Sequence, residues 1–171
     1  SKKFKVNQMD VTTAFLHDDI DAEIYMRQPP GFQDANQPDF VWKLHKSIYG
    51  LKQSPLCWYN KMLQALESFG FQKASAEHGV FYLSNKTGHC MLGLYVDDLI
   101  IAGSTDEAIA DVKAYLSGTF KMKDLGVING RFLGLDIKLV KDGITISMET
   151  YIKDMIGACG LAGCHRETTA R

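Results

Sequence analysis

Two adjacent aspartates interrupt an apolar stretch of the sequence, GLYVDDLIIAG, at residues 93–103. Asp97 and Asp98 lie in its middle, although burying an unpaired carboxylate costs several kcal/mol. A cation, a dense set of hydrogen-bond donors or exposure at a turn must offset that cost. A second pair, Asp18-Asp19, lies in the polar stretch HDDIDAE. The informative feature is therefore the apolar flanks of Asp97 and Asp98, not the pair itself.

Asp10 also ends an apolar strand pattern, FKVNQMD. Strand ends of one sheet can meet across a long sequence separation, and two carboxylates that meet form a hard oxygen site suited to Mg²⁺. With substrate phosphates as further ligands, such a site could hold two ions ~4 Å apart for phosphoryl transfer. Successive strand residues face opposite sides, so only a turn lets both members of the pair point at one site. Asp97 is predicted to bridge with Asp10, and Asp98 to be a supporting ligand.

A structural interpretation of the same aspartates stays open. Asp98 would be a turn residue, and Asp10 would be the N-cap of a helix at residues 11–16. The stretch WKLHKSIYGLKQSPLCWY at 42–59 favours the functional interpretation, because its lysines can neutralise phosphate and its aromatic faces can stack on bases. Gly50 would let the backbone approach a base pair or sugar closely. Trp58 and Tyr59 have core spacing and are predicted to lie on the packed face of a helix.

The composition is that of an ordinary globular chain. Its 171 residues, 46% of them hydrophobic and 23% charged, can form one domain with a substantial core. The net charge of −1 means that nucleic-acid contact must come from a local basic patch. Four cysteines without C-x-x-C spacing indicate reduced thiols in an intracellular protein, and Cys164-His165 is at most half of a metal site.

The two ends of the sequence resemble cuts in a longer chain. The start, SKKFKVNQMD, already contains a strand and has no apolar segment typical of a signal peptide. The end, HRETTAR, is a polar tail. No run approaches the ~18 apolar residues that a membrane span needs, so no membrane association is predicted.

The hydrophobic periodicity predicts elements in the approximate order β-α-β-β-α-β-β-α-β-β-α. This order favours an α+β fold in which helices cover one face of an antiparallel-rich sheet. Strands are predicted at 4–10, 23–28 and 41–46, with a proline-containing loop at 29–40 and a turn at Gly50. Two strands surround an Asn-Lys-Thr-Gly turn, a second turn lies at or beside Asp97-Asp98, and a hairpin surrounds Asp142-Gly143.

Serine residues are predicted to cap the three main helices, because each precedes an amphipathic run. One is followed by proline at the first helical position, and another forms a capping box with a glutamate three residues later. The caps are Ser54 with Pro55, for a helix that stops at Gly70; Ser104 with Glu107, for a helix at 105–118; and Ser147, for a helix at 148–158. The apolar face predicted for the first helix comprises Leu56, Tyr59, Leu63, Leu66 and Phe69.

Four stretches in this order, QMDVTTAFLHDDIDAEIYMRQPPGF, WKLHKSIYGLKQSPLCWY, LYVDDLIIAG and FKMKDLGVINGRFLGLDI, resemble the reverse transcriptase of copia-type long-terminal-repeat retrotransposons. The match covers nearly the whole chain, and the set D-V-x-x-A-F, S-[IL]-Y-G-L-K-Q-[SA]-P, Y-V-D-D and F-L-G is specific. The resemblance implies an α+β polymerase palm-like antiparallel sheet with helices on one face and the fingers largely missing. It implies one reverse-transcriptase fragment over residues 1–171, with a palm core at about 1–125 and a primer-grip hairpin and start of the thumb or connection at about 126–171.

The resemblance also assigns roles to individual residues. Asp10 and Asp97 match the metal-binding catalytic carboxylates, with Asp98 beside them. Phe15 matches the bulky residue that excludes a ribose 2′-hydroxyl. The other implied nucleotide-binding residues are Val11, Ala14, Tyr49, Gly50 and Gln53. The implied nucleic-acid-binding residues are Lys46, Lys52, Tyr95, Phe132, Leu133 and Gly134. Lys121 or Lys123 could protonate the leaving diphosphate.

The function implied by the resemblance is RNA-directed DNA polymerisation with Mg²⁺, or alternatively Mn²⁺, in retrotransposon replication. The implied partners are an RNA template, a DNA primer, deoxynucleoside triphosphates, and the fingers and RNase H portions of the same polyprotein; the oligomeric state is left open. The implied location is a cytoplasmic virus-like particle, with a nuclear stage left open. One alternative is a truncated, inactive domain that keeps only its fold and its binding to nucleic acid or protein. Another palm-like nucleotidyl transferase or cyclase is disfavoured by the order of the motifs.

Two departures from the family pattern bear on activity. AFLHDD stands where Asn-Gly usually follows Phe-Leu, and GCHRETTAR replaces a proline-rich continuation. Because the basic fingers segment is expected before residue 1, the polypeptide alone is predicted to have little or no polymerase activity.

Overall fold

The computed structural model describes residues 4–17, 20, 22–141 and 143–161. The chain divides into two compact units, residues 1–126 and 127–171. Its strands and helices confirm the predicted α+β class. The strands are β1 Lys5–Val11, β2 Tyr25–Arg27, β3 Val41–Lys43, β4 Gln72–Lys73, β5 Val80–Asn85, β6 Gly88–Tyr95, β7 Asp98–Gly103, β8 Met122–Val127, β9 Gly130–Phe132, β10 Leu135–Val140 and β11 Gly143–Ser147. The helices are α1 Ser54–Phe69, α2 Asp106–Thr119 and α3 Glu149–Ala158, and a 3-10 helix spans Ala14–His17.

A six-stranded sheet forms the centre of the first unit, in the order β4-β5-β6-β7-β1-β8. The pairs of β1 with β7, β7 with β6, β6 with β5 and β5 with β4 are antiparallel. Side chains alternate between the two faces of a strand. One face carries apolar residues such as Met9 and Leu99, which form a single hydrophobic cluster with Trp58, Met62 and Leu116 of the helices. The opposite face of β1 and β7 is left without this cover.

The predicted strands and turns of this unit are confirmed, and the short helix predicted after Asp10 is confirmed only in part. Helical structure does not begin at Val11, because β1 continues to Val11 and a turn precedes the 3-10 helix at Ala14–His17. The loop at 29–40 and the turn at Gly50 are present, and β2 and β3 pair as a separate two-stranded sheet. Asp18 and Asp19 lie outside the described residues.

The end of α1 is confirmed, whereas its start and its buried face differ from the prediction. Gly70 adopts the left-handed conformation, with φ of 107°, and ends the helix. Ser54 lies inside the helix, and its hydroxyl donates to the carbonyl of Ile48 instead of capping. The buried face is centred on Trp58, Met62 and Leu66, while the predicted Leu56 is 64% exposed. The face is therefore rotated from the one that the periodicity predicted, although Tyr59, Leu63 and Phe69 pack at its margin.

The caps of the other two helices are also wrong. Thr105 is the N-cap of α2, and its hydroxyl accepts a hydrogen bond from the backbone N–H of Ala108. Ser104 instead accepts from the N–H of His89, so no capping box forms with Glu107. Ser147 belongs to β11 rather than capping the last helix.

The second unit is a three-stranded antiparallel sheet in the order β11-β10-β9, followed by α3. The predicted hairpin between β10 and β11 is confirmed, and its turn residue Asp142 lies outside the described residues. The Asp136 carboxylate accepts a hydrogen bond from the backbone N–H of Thr150 at 2.8 Å. This bond gives one of the free N–H groups in the first turn of α3 an acceptor. No helix in the described part of the chain is long and apolar enough to cross a membrane.

Candidate active site

The aspartates of β1 and β7 lie opposite each other at the end of the sheet. Asp10 pairs with Asp98 in the register of β1 and β7, and Asp98 pairs with Tyr95 in the register of β6 and β7. Directly opposite residues project from the same face of a sheet. The face is the one away from the helices, because the neighbouring Met9 and Leu99 point into the core. Asp10 is therefore a strand residue, and the interpretation of Asp10 as a helix N-cap is wrong.

Asp97 lies in a tight turn between β6 and β7. The preceding residue, Val96, has a φ of 54°, a left-handed conformation that β-branched residues rarely adopt. The carbonyl of Asp97 accepts a hydrogen bond from the backbone N–H of Val11 at 2.8 Å. The carbonyl of Val96 accepts one from the indole N–H of Trp58 at 2.6 Å. The turn takes Asp97 out of the strand alternation that Asp98 follows.

The three aspartates influence one another electrostatically. Burial raises the pKa of the Asp98 carboxyl, and the negative charges of Asp97 and Asp10 raise that pKa further. A hydrogen bond with Gln8 lowers it again in part. The site thus concentrates negative charge at a partly buried position, and a cation placed there would relieve the repulsion.

The donor chemistry of this site fits a divalent cation. Within the described ranges, no three His, Cys, Asp or Glu side chains are gathered closely enough to hold a metal ion by themselves. Mg²⁺, however, is usually bound through one or two carboxylates together with substrate phosphates and water, rather than by a cage made only of protein. Asp10, paired with Asp98, and the adjacent Asp97 supply carboxylate oxygen donors of that type.

Tyr49 links the turn to Phe15. Its hydroxyl donates to Oδ2 of Asp97 at 3.3 Å, and its ring centroid lies 4.4 Å from that of Phe15. Burial raises the pKa of Tyr49, and the charge of Asp97, its hydrogen bond with Asp97 and the charge of Asp10 raise it further. Phe15 is only 6% exposed, whereas Tyr49 is 57% exposed. The predicted ribose-contacting residue is therefore packed into the core beside Tyr49.

The other predicted nucleotide-binding residues belong to the same unit as this contact. Val11 and Ala14 are buried, and the N–H of the intervening Thr12 donates to the carbonyl of Lys121 at 2.9 Å. Gly50 has a φ of 98°, which favours glycine at this turn. Gln53 is exposed, and its carbonyl accepts from the N–H of Cys57.

The residues predicted to contact nucleic acid fall into two groups. Tyr95, Lys46 and Lys52 are exposed side chains of the first unit, as are the two candidate acids, Lys121 and Lys123. The ammonium of Lys46 donates to the carbonyl of Leu16 at 3.3 Å. The second group lies in the other unit, where Leu133 and Gly134 form the turn between β9 and β10 with positive φ, and Phe132 pairs with Leu135.

Sequence reasoning placed Trp58 in the core but missed its contact with the turn that carries Asp97. Trp58 is 1% exposed, so its packing is confirmed. A buried tryptophan usually finds a partner for its indole N–H, and that rule is the only signal in the sequence. The identity of the partner depends on how α1 crosses the sheet, which the sequence pattern does not reveal.

The chain belongs to the reverse transcriptase (RNA-dependent DNA polymerase) family, whose profile matches residues 1–170. It is 42% identical over 145 residues to a Saccharomyces cerevisiae protein named for the transposon Ty5-1, covering 84% of this chain and 47% of the yeast protein. It is 40% identical over 161 residues to the retrovirus-related Pol polyprotein from transposon TNT 1-94 of Nicotiana tabacum, covering 91% of this chain and 12% of the polyprotein. It is 33% identical over 168 residues to the corresponding polyprotein from transposon RE1 of Arabidopsis thaliana, covering 98% of this chain and 11% of that polyprotein. The chain therefore spans about half of the yeast relative and a small part of each plant polyprotein.

Proposed function

We propose that this chain is the palm-like part of an RNA-directed DNA polymerase, and that Asp10, Asp97 and Asp98 are its catalytic, metal-binding carboxylates. The observation that carries the proposal is the register of β1 and β7, which sets Asp10 opposite Asp98, with Asp97 in the adjoining turn. Membership of the reverse transcriptase family supports it. An antiparallel sheet with helices on one face and acidic strand ends on the other fits a polymerase palm.

The three carboxylates would hold Mg²⁺, or Mn²⁺ in its place, together with the phosphates of the incoming nucleotide. When bound, such ions activate an attacking hydroxyl and neutralise a leaving diphosphate. The contribution of the chain is positional, because β1, β7 and the turn between β6 and β7 carry three carboxylate side chains at one end of the sheet. The mutual repulsion that raises the pKa of Asp98 makes this end of the sheet favourable for a cation.

Phe15 and Tyr49 would form the sugar-binding part of the site. A bulky side chain beside C2′ excludes a ribose 2′-hydroxyl by steric contact, which would select deoxynucleotides. Phe15 is buried, and its ring lies 4.4 Å from that of Tyr49, so a movement of Tyr49 would expose more of Phe15 to a sugar. The 3.3 Å hydrogen bond from Tyr49 to Asp97 is longer than the ~2.7 Å typical of hydroxyl donors, so it resists that movement weakly. Val11, Ala14, Gly50 and Gln53 would line the remaining nucleotide site.

Exposed residues of the two units would bind template and primer. Tyr95 is 59% exposed on the face that carries Asp10 and Asp98, where it could stack on the primer end. Lys46 and Lys52 would neutralise phosphates. In the second unit, the turn at Phe132, Leu133 and Gly134 would serve as the primer grip. Other portions of a Pol polyprotein would supply the fingers and RNase H functions within a virus-like particle.

Metal binding by matched aspartate variants tests the proposed site. We expect the chain to bind Mn²⁺, measured by titration with detection of free ion by electron paramagnetic resonance. Asp97→Asn should weaken this binding by roughly tenfold or more, because one charged ligand is lost. Asp39→Asn, which removes an exposed aspartate from the loop before β3, should leave it unchanged.

An equal Mn²⁺ affinity for the wild type, Asp97→Asn and Asp39→Asn would contradict the proposed site. It would favour an element-derived domain that keeps the fold without the catalytic site.

A further inference from the structure

We propose that Trp58 is a positioning residue whose indole N–H holds the strained turn that carries Asp97; the catalytic consequence rests on the function proposed above. The hydrogen bond joins Nε1 of Trp58 to the carbonyl of Val96 at 2.6 Å. It connects the first part of α1 to the turn between two central strands. Trp58 does not contact the carboxylates in this role and acts only through the backbone of the turn.

The turn needs such a restraint because Val96 adopts a conformation that its side chain disfavours. Its φ of 54° lies in the left-handed region, where Cβ approaches the carbonyl oxygen and where β-branched residues are rare. Strained backbone of this kind persists only when the surrounding structure over-determines it. Left to itself, the peptide of Val96 would relax and change the direction of the Asp97 side chain.

Two buried donors hold the two carbonyls of the turn. Trp58, 1% exposed, donates to Val96, and the N–H of Val11, 2% exposed, donates to Asp97 at 2.8 Å. The second bond continues the pairing of β1 with β7, which any residue at position 11 except proline could make. The first depends on one side chain, because only tryptophan among the large apolar residues carries an N–H donor.

The indole is itself held in a fixed orientation. Its ring packs edge-on against Phe120, with centroids 5.2 Å apart, and lies 5.9 Å from the ring of His17. These contacts would be largely kept by phenylalanine, which lacks the donor. A comparison of tryptophan with phenylalanine at position 58 therefore separates the hydrogen bond from the packing.

Four forms of the full chain test the proposal: the wild type, Trp58→Phe, Val96→Gly and the double variant. Trp58→Phe should weaken Mn²⁺ binding roughly three- to tenfold and speed amide exchange at residues 95–98, as expected for one lost hydrogen bond. Val96→Gly alone should change the Mn²⁺ Kd by less than about twofold, because glycine adopts positive φ without strain. The double variant should return to within about twofold of the wild type, since glycine no longer needs the restraint.

A purely structural role for Trp58 predicts a different pattern. Trp58→Phe would lower the thermal midpoint without changing Mn²⁺ affinity or exchange at the turn, or the double variant would stay as weak as Trp58→Phe. Either result overturns the proposal. Trp42→Phe is the matched control, because Trp42 is 42% exposed in β3 and should leave all three measurements unchanged.

The indole proton gives a measurement that needs no variant. In the wild type, the Nε1–H of Trp58 should exchange slowly with solvent in nuclear magnetic resonance spectra, while that of the exposed Trp42 exchanges quickly. Rapid exchange of both protons would overturn the proposal. If the wild type binds no Mn²⁺ either alone or with a deoxynucleoside triphosphate, the proposed polymerase site fails. The indole protection and the amide exchange in the four forms still decide whether Trp58 holds the turn.

Discussion

Asp98 lies in an environment that disfavours the charged form of its carboxyl, so its pKa is raised. Burial and the charges of Asp97 and Asp10 all raise its pKa. The folded state therefore favours the neutral carboxyl over the carboxylate more than the unfolded chain does. This contribution to stability is fully present below the ordinary pKa of an aspartate and is lost as the pH rises through the raised pKa of Asp98. The metal-free protein is therefore destabilised by its own candidate site at neutral pH.

Asp98→Asn should consequently stabilise the metal-free chain at neutral pH. The expected rise in thermal midpoint at pH 7 is roughly 1–3 °C, since a neutral amide removes the repulsion without changing the shape. The difference should disappear at a pH below the ordinary pKa of aspartate, where Asp98 is protonated in both states. Thermal unfolding followed by circular dichroism across this pH range measures both effects, and an unchanged or lower midpoint at pH 7 would contradict the expectation.

The pKa of Asp124 is shifted in the opposite direction from that of Asp98. A hydrogen bond from the Lys113 ammonium, at 2.8 Å, lowers the pKa of Asp124, which outweighs the effect of burial. Its stabilisation is present above the ordinary pKa and is lost as the pH falls through the lowered pKa. Asp124→Asn should therefore lower the thermal midpoint at pH 7, and the loss should shrink on acidification. If both Asp98→Asn and Asp124→Asn raised the thermal midpoint at pH 7, the cause would be a general effect of net charge instead.

At the scale of single elements, strand patterns predicted the structure better than helix signals did. The strand at 4–10, the turn after residue 85 and the turn at Asp97 are present because apolar alternation and turn residues act locally. The helix caps were wrong where two hydroxyl residues are adjacent, as at Ser104 and Thr105, or where a hydroxyl finds a nearer carbonyl, as Ser54 does. Local sequence does not decide between such competing partners.

Glycine at the end of α1 can be compared with glycine inside α2. Gly70 has a φ of 107°, and its N–H donates to the carbonyl of Glu67, so alanine there must adopt a strained conformation. Gly118 lies within α2, without a positive φ and with no atom within 4 Å of an added Cβ. We expect Gly70→Ala to lower the free energy of unfolding by about 1–2 kcal/mol and Gly118→Ala to raise it by about 0.5–1 kcal/mol.

Urea unfolding measures both free energies under one set of conditions. Destabilisation by both variants would mean that Gly118 has a packing role, whereas a neutral Gly70→Ala would contradict the strained helix end.

At the scale of the whole molecule, long-range pairing was the least accessible to sequence reasoning. The motifs suggested that Asp10 and Asp97 converge, but the exact partner of Asp10 in the sheet is Asp98, which depends on the register of two strands far apart in sequence. The contact between Tyr49 and Phe15 likewise joins segments that no local pattern connects. The roles of the predicted site residues stay predictions, while the placement of Asp10, Asp97 and Asp98 at one end of a sheet is consistent with the proposed chemistry.

The second unit ends in a helix whose apolar residues are exposed. α3 has ten residues, none of them buried, and Ile152 and Met155 are 47% and 48% exposed. Isolated helices shorter than ~12–15 residues are marginal in water, so α3 gains stability when its apolar side chains are covered. We therefore expect the chain to associate as its concentration rises, through contacts that include this helix.

Sedimentation velocity at increasing concentration measures this association. The double variant Ile152→Glu, Met155→Glu should need a roughly tenfold higher concentration to associate, because the carboxylates must be desolvated at the contact. Lys153→Gln is the control on the same helix, since its ion pair with Glu149 is exposed and contributes little. A wild-type chain that stays monomeric throughout, or a double variant that associates as readily as Lys153→Gln, would contradict a role for α3. Far-ultraviolet circular dichroism of each form distinguishes lost association from a melted helix, because only the latter lowers the helical signal at low concentration.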